Sequence, residues 1–129
     1  MDKDALKLIQ AHVEIMTLME LARQQHEQAT GTRAAITKLV GSFIQGELER
    51  STARLREYRI WIKDTPEREA LVLRFTYSVA GRRGIYEVER ATLRAYMTER
   101  VEDYSDLIGQ VQINWPGLKE RYAKYPIQF

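Results

Sequence analysis

The stretch Ala70-Leu-Val-Leu-Arg-Phe-Thr-Tyr-Ser-Val79 constrains this chain most. Leu71, Leu73, Phe75, Tyr77 and Val79 recur at every second residue. In a pleated strand alternate side chains share a face, so the run has one face that is apolar throughout. Val72, Arg74, Thr76 and Ser78 take the other face, the mixture expected of an antiparallel strand with one solvated side. Such a strand needs a second layer over its apolar face, and the flanking segments must supply it.

The flanks read as helices. From Asp4 to about Ala29, Leu6, Ile9, Val13 and Met16 follow three-and-four spacing, and Leu8, Ile15, Leu18, Met19 and Ala22 widen the arc. A helix this apolar is expected to be buried on most sides, in a core or against another subunit. Gly31 can take the left-handed conformation that ends a helix, and Thr32 can cap the next. That second helix is predicted over about 32–50, with Ile36, Leu39, Val40, Phe43, Ile44 and Leu48 on one face. Leu48, Leu55 and Ile62 fall seven apart, with Ile44, Ser51 and Tyr58 between them, so continuation to about Lys63 stays open. Leu93, Met97, Val101, Tyr104, Ile108 and Val111 predict a further helix over about 90–110, broken by Asn114-Trp-Pro-Gly117. A short amphipathic turn over 118–125 follows.

Between the helices, Tyr58-Arg-Ile-Trp-Ile62 alternates and predicts a strand over about 58–63, with Arg59 and Trp61 on its exposed face. Asp64-Thr-Pro66 makes a turn, the strand over 70–79 follows, and Gly81-Arg-Arg-Gly84 reads as a second tight reversal. Ile85-Tyr-Glu-Val-Glu89 returns as a third strand. Thr65-Pro66-Glu67 is also a good helix start. Pro66–Phe75 resembles the first helix of a sigma-factor-type helix-turn-helix domain. The resemblance covers ten residues and implies a second helix, a turn and a recognition helix beyond it. Gly81-Arg-Arg-Gly84 stands there instead, so the strand is carried forward, with the helix as its alternative.

The expected fold is α+β in a single domain over 1–129: two N-terminal helices, a three-stranded antiparallel meander and a C-terminal amphipathic helix. At 44% hydrophobic and 29% charged residues, the chain can build a core of its own. The absence of cysteine excludes disulfides, thiolate metal sites and cysteine nucleophiles, and it fits a reducing compartment. Met-Asp-Lys-Asp lacks the basic start of a signal peptide, and no apolar run reaches the roughly 18 residues of a membrane span. A cytoplasmic protein away from membranes is the expectation.

Charge is unevenly spread. Residues 51–100 carry eleven basic and seven acidic side chains, whereas the rest of the chain is balanced or slightly acidic. An anionic partner is therefore sought in the middle of the chain. Arg82 and Arg83 at the predicted hairpin tip offer forked donors for phosphate or carboxylate, and Arg90 and Arg94 extend the patch into the following helix. The loop lacks the lysine and Ser/Thr of a P-loop, so nucleotide hydrolysis is not supported. Trp61 and Trp115 could stack on bases, and Tyr122 and Tyr125 share one side of the C-terminal turn.

Acid chemistry is weaker. Glu99, Glu102, Asp103 and Asp106 share one side of the last long helix, where a solvated face is the simpler reading than a magnesium site. Glu87 and Glu89 share a strand face, with Arg82, Arg83 and Arg90 near enough in sequence to neutralise them. His12 and His26 stand fourteen residues apart with no ligand set around them. No catalytic constellation, metal site or cofactor motif is expected. The leading functional expectation is a non-enzymatic, oligomeric interaction or adaptor protein of bacterial or phage type that binds a protein partner. Three strands with two open edges, and a first helix more apolar than that sheet can cover, point to a symmetric dimer. A nucleic-acid-binding regulator using Arg82, Arg83, Arg90, Arg94 and Trp61 is the alternative, and a metal-assisted hydrolase is the third.

Overall fold

The computed structural model describes residues 3–109. Its order is α1 (Lys3–Gln28), α2 (Gly31–Glu57), β1 (Ile60–Ile62), β2 (Glu67–Glu69), β3 (Val72–Val79), β4 (Arg82–Glu89) and α3 (Arg90–Gly109). The α+β fold has the expected sequence of helices and strands, with four strands in place of three. β3 is central, β4 pairs along its whole length on one side, and β1 and β2 share the other side. All pairings are antiparallel, and no helix occurs over 66–75. Val111, Trp115, Tyr122 and Tyr125 lie outside the described residues.

The extra strand arises because the first one is interrupted. Ile62 faces Tyr77 and Glu67 faces Arg74, so five steps along this edge match three along β3. Pro66 has no N–H to give the ladder, and Asp64–Pro66 bulge out around it. Because the register slips by two residues, side chains keep their faces across the break.

The reversals fall at other residues than the glycine pattern suggests. Val79 pairs with Arg82, which leaves Ala80 and Gly81 as a two-residue turn, and both have positive φ (50° and 86°). That is the primed turn favoured in hairpins. Arg82, Arg83 and Gly84 are already strand residues. Glu69 pairs with Val72 across Ala70 and Leu71, with Ala70 at φ 52°, so Leu71 lies in a turn and is exposed instead of packing inward. α2 runs on past Arg50 to Glu57 and ends where Arg59 takes φ 56°. Tyr58 caps that helix and is exposed, and it is not part of β1.

The apolar sheet face packs under the helices as one layer on another. Phe75, Tyr86, Val88, Ile60 and Ile62 meet Ala5, Ile9 and Val13 of α1, Leu55 of α2 and Leu93 of α3. Ile9 and Val13 have no exposed surface. A second cluster joins the helices beyond the sheet, where Ile15 and Leu18 meet Ile44, and Tyr104 of α3 sets its ring edge-on to Phe43 at 5.2 Å. Glu14 of α1 and Arg100 of α3 add an ion pair at 3.2 Å.

Gly84 lies opposite Tyr77 in the register, and the Tyr77 ring covers it. A Cβ at position 84 would fall 2.4 Å from the phenol carbon and oxygen. Gly84→Ala is expected to displace Tyr77 and lower stability by about 1–3 kcal/mol, as overpacking does. Gly81→Asn, at a turn position with open space around it, should cost less than about 1 kcal/mol. Urea unfolding of the two variants checks the order, and equal losses would place the constraint at the turn.

Candidate interaction surfaces

Strand alternation sorts the basic residues singled out in the sequence. On β4 the side chains of Tyr86 and Val88 face the helices, with Gly84 at the same face, and those of Arg83, Ile85, Glu87 and Glu89 face outward. Arg82 and Arg83 therefore point to opposite sides of the sheet. Both are exposed, but they do not form one fork. Arg90 and Arg94 sit at the other end of β4, seven residues on, or roughly 23 Å along the strand. The four arginines make two separate basic regions.

Arg83 instead shares a row with Trp61. In the register Ser78 faces Trp61 on one side and Arg83 on the other, all on the outer face. Trp61 is 56% exposed, and Ile85, also exposed, lies on the same face. Farther along it Arg74 reaches Glu69 at 2.5 Å and Glu87 at 2.7 Å. Glu87 is thus neutralised from β3, not by the arginines next to it in sequence.

Arg90 and Arg94 join Arg68, a residue that no motif in the chain marks out. All three line a cleft of about 450 Å³ between α1, the β2–β3 hairpin and the start of α3, with Leu73, Leu93 and Met97 beneath. Arg68 reaches it because it faces Leu73 on the helix side of the sheet. A second cavity of about 550 Å³ adjoins, and Thr17, Arg68 and Leu73 line both.

Among the described residues, α2 carries a row of exposed apolar side chains. Ile36, Leu39, Val40 and Phe43 form a stripe at helical spacing, and Leu39 is 72% exposed. The broad apolar arc of α1, in contrast, is covered within the chain by α2, α3 and the sheet. Glu99, Glu102, Asp103 and Asp106 are exposed along α3, and among the described residues no group of His, Asp and Glu is placed to hold a metal ion. No helix among them is long and apolar enough to cross a membrane.

His12 and Ser51, both buried, share a hydrogen bond of 2.9 Å between α1 and α2. His26 and Thr37 make the corresponding contact, also 2.9 Å, near the exposed tip of the helical pair. Burial pushes the His12 pKa below its ordinary 6.5, and the charge of Asp64 opposes that only in part. Burial raises the Glu14 carboxyl, against the pull of Arg100. Comparison with protein-family models, curated proteins and solved structures returned no match.

The lowered His12 pKa fixes a direction for stability against pH. The unfolded chain takes up a proton near 6.5 that folded His12 resists, so stability is full above that value. It falls as pH drops through 6.5 toward the lower folded value. Glu14 acts in the opposite sense, favouring the folded state as pH falls toward 4.5. The difference between wild type and His12→Asn isolates the histidine. The wild-type melting temperature should fall from about pH 7 to about pH 5, with the variant flatter, and parallel profiles would show that His12 titrates as it does unfolded.

Proposed function

We propose that this protein is a non-enzymatic interaction protein of the small bacterial or phage kind that works as a two-fold dimer joined along α2 and engages a protein partner. The exposed stripe Ile36, Leu39, Val40 and Phe43 carries the reading, since contiguous apolar surface on a water-soluble fold marks a contact site. A second copy of the chain fits the stripe because its ends are complementary. Arg33, Ile36, Val40, Phe43 and Glu47 follow spacings of three, four, three and four, with a cation at one end and an acid at the other. In antiparallel pairing Ile36 meets Phe43 of the second copy, Leu39 meets Val40, and each Arg33 comes near the other Glu47. Burying eight half-exposed side chains gives about 6–12 kcal/mol gross. Association costs of similar size offset much of this, so a micromolar dimer is expected. The lack of cysteine supports the cytoplasm as its compartment.

Light scattering over about 5–500 µM should show the mass rising from 15.1 kDa toward twice that value. Leu39→Glu with Val40→Glu should hold the chain monomeric without lowering its melting temperature, because both side chains are exposed. Arg33→Glu should weaken the dimer, and adding Glu47→Arg should restore it. A wild-type monomer throughout the range would overturn the reading.

A second reading, a nucleic-acid-binding regulator, draws support from one arrangement. Trp61 and Arg83 flank Ser78 on the open sheet face, an aromatic platform beside a phosphate-seeking fork. Trp61→Ala should then weaken single-stranded DNA binding, and Arg83→Ala should reduce its salt slope by about one unit. Binding unchanged by both variants would remove this reading.

A further inference from the structure

We infer that the cleft bounded by Arg68, Arg90 and Arg94, together with the cavity beside it, is a binding site for a single-chain amphipathic carboxylate of the fatty-acid type. The arginines hold the carboxylate, and the apolar cavity takes the chain.

Among the described residues, charge at the cleft is only weakly compensated. Arg68, Arg90 and Arg94 take part in none of the ion pairs formed among the described residues. Three guanidinium groups around one opening repel each other, and a bound anion relieves that repulsion. Two of them also sit where a helix least favours cations. Arg90 and Arg94 are in the first two turns of α3, at the positive end of its dipole, and the first turn holds no acid. Glu20 of α1 acts on Arg68, but it is itself bonded to Arg23. Forked, permanently charged donors suit a planar carboxylate.

The rest of the site is apolar on one side and polar on the other. Leu73, Leu93 and Met97 line the cleft with the arginines, and Thr17, Arg68 and Leu73 are walls of both this cleft and the second cavity. Met16, Met19, Leu48 and Phe75 line that cavity, and methionines accommodate an unbranched chain without a fixed shape. Glu20 and Asp64 stand at its polar side, which disfavours an anionic head there and sets the polarity of binding. Volumes of about 450 and 550 Å³ are each within the range of small-molecule sites. The α2 stripe is not part of this site.

Calorimetry with sodium decanoate below its micelle concentration tests the inference. One decanoate per chain should bind, with affinity rising by up to about fourfold for each methylene from hexanoate to decanoate. Arg90→Gln with Arg94→Gln should weaken decanoate at least about tenfold, since both side chains are exposed and the fold does not rest on them. Decyltrimethylammonium, with the same chain and the opposite charge, should not bind. Inorganic phosphate should bind more weakly than decanoate. Equal binding of the cationic probe, affinity independent of chain length, phosphate as tight as decanoate, or an unaffected double variant would each overturn the assignment. The probe comparisons use the wild-type chain, so they decide the matter even if the double variant folds poorly.

Discussion

The structure depends on covering one face of a narrow sheet with a helix that is itself covered. Ile9 and Val13 lie where the sheet, α2 and α3 converge, and neither has any exposed surface. One turn farther along α1, Ile15 and Leu18 anchor the second cluster, so one helix serves as the common wall of both. With α1 used up in this way, the outer side of α2 keeps Ile36, Leu39, Val40 and Phe43 exposed. Replacing Val13 with alanine would open a void bordered by three elements at once, the situation in which a core adjusts least.

Helical and strand periodicities were plain in the residues because burial imposes them. Leu73, Phe75, Tyr77 and Val79 face the helices as their spacing implied, and Ile44, Ser51 and Leu55 face α1 on the weak seven-residue repeat. The turns were not legible, and the reason is specific. Arg59, Ala70 and Ala80 all adopt positive φ, a conformation that sequence reasoning assigns to glycine or asparagine. With those three positions unmarked, the end of α2, the break before β3 and the hairpin tip were each set a few residues away. Gly84, read as part of a turn, is instead a place where a ring needs room.

The basic surface differs from its reading in the sequence for a related reason. Closeness along the chain suggested that Arg82, Arg83, Arg90 and Arg94 act together, but an extended strand carries its ends apart faster than any other element. Arg68 stands between Glu67 and Glu69, where no basic cluster shows in the order of residues. Its meeting with α3 depends on the two-residue slip in register that keeps it facing the helices. His12 and Ser51 behave differently. Each is a polar residue among apolar neighbours, and together they form one buried polar contact that favours a single alignment of α1 on α2.

The interrupted first strand bears on how the protein avoids wrong associations. A straight, eight-residue edge beside β3 would be a template for strand addition by any partly unfolded neighbour. The bulge at Asp64–Pro66 cuts that edge into two pieces of three residues, and Glu67, Arg68 and Glu69 charge the second piece. The opposite edge, β4, carries Arg82, Arg83, Glu87 and Glu89 along its length. The two borders are thus guarded differently, β1 and β2 by interruption and charge and the unbroken β4 by charge alone.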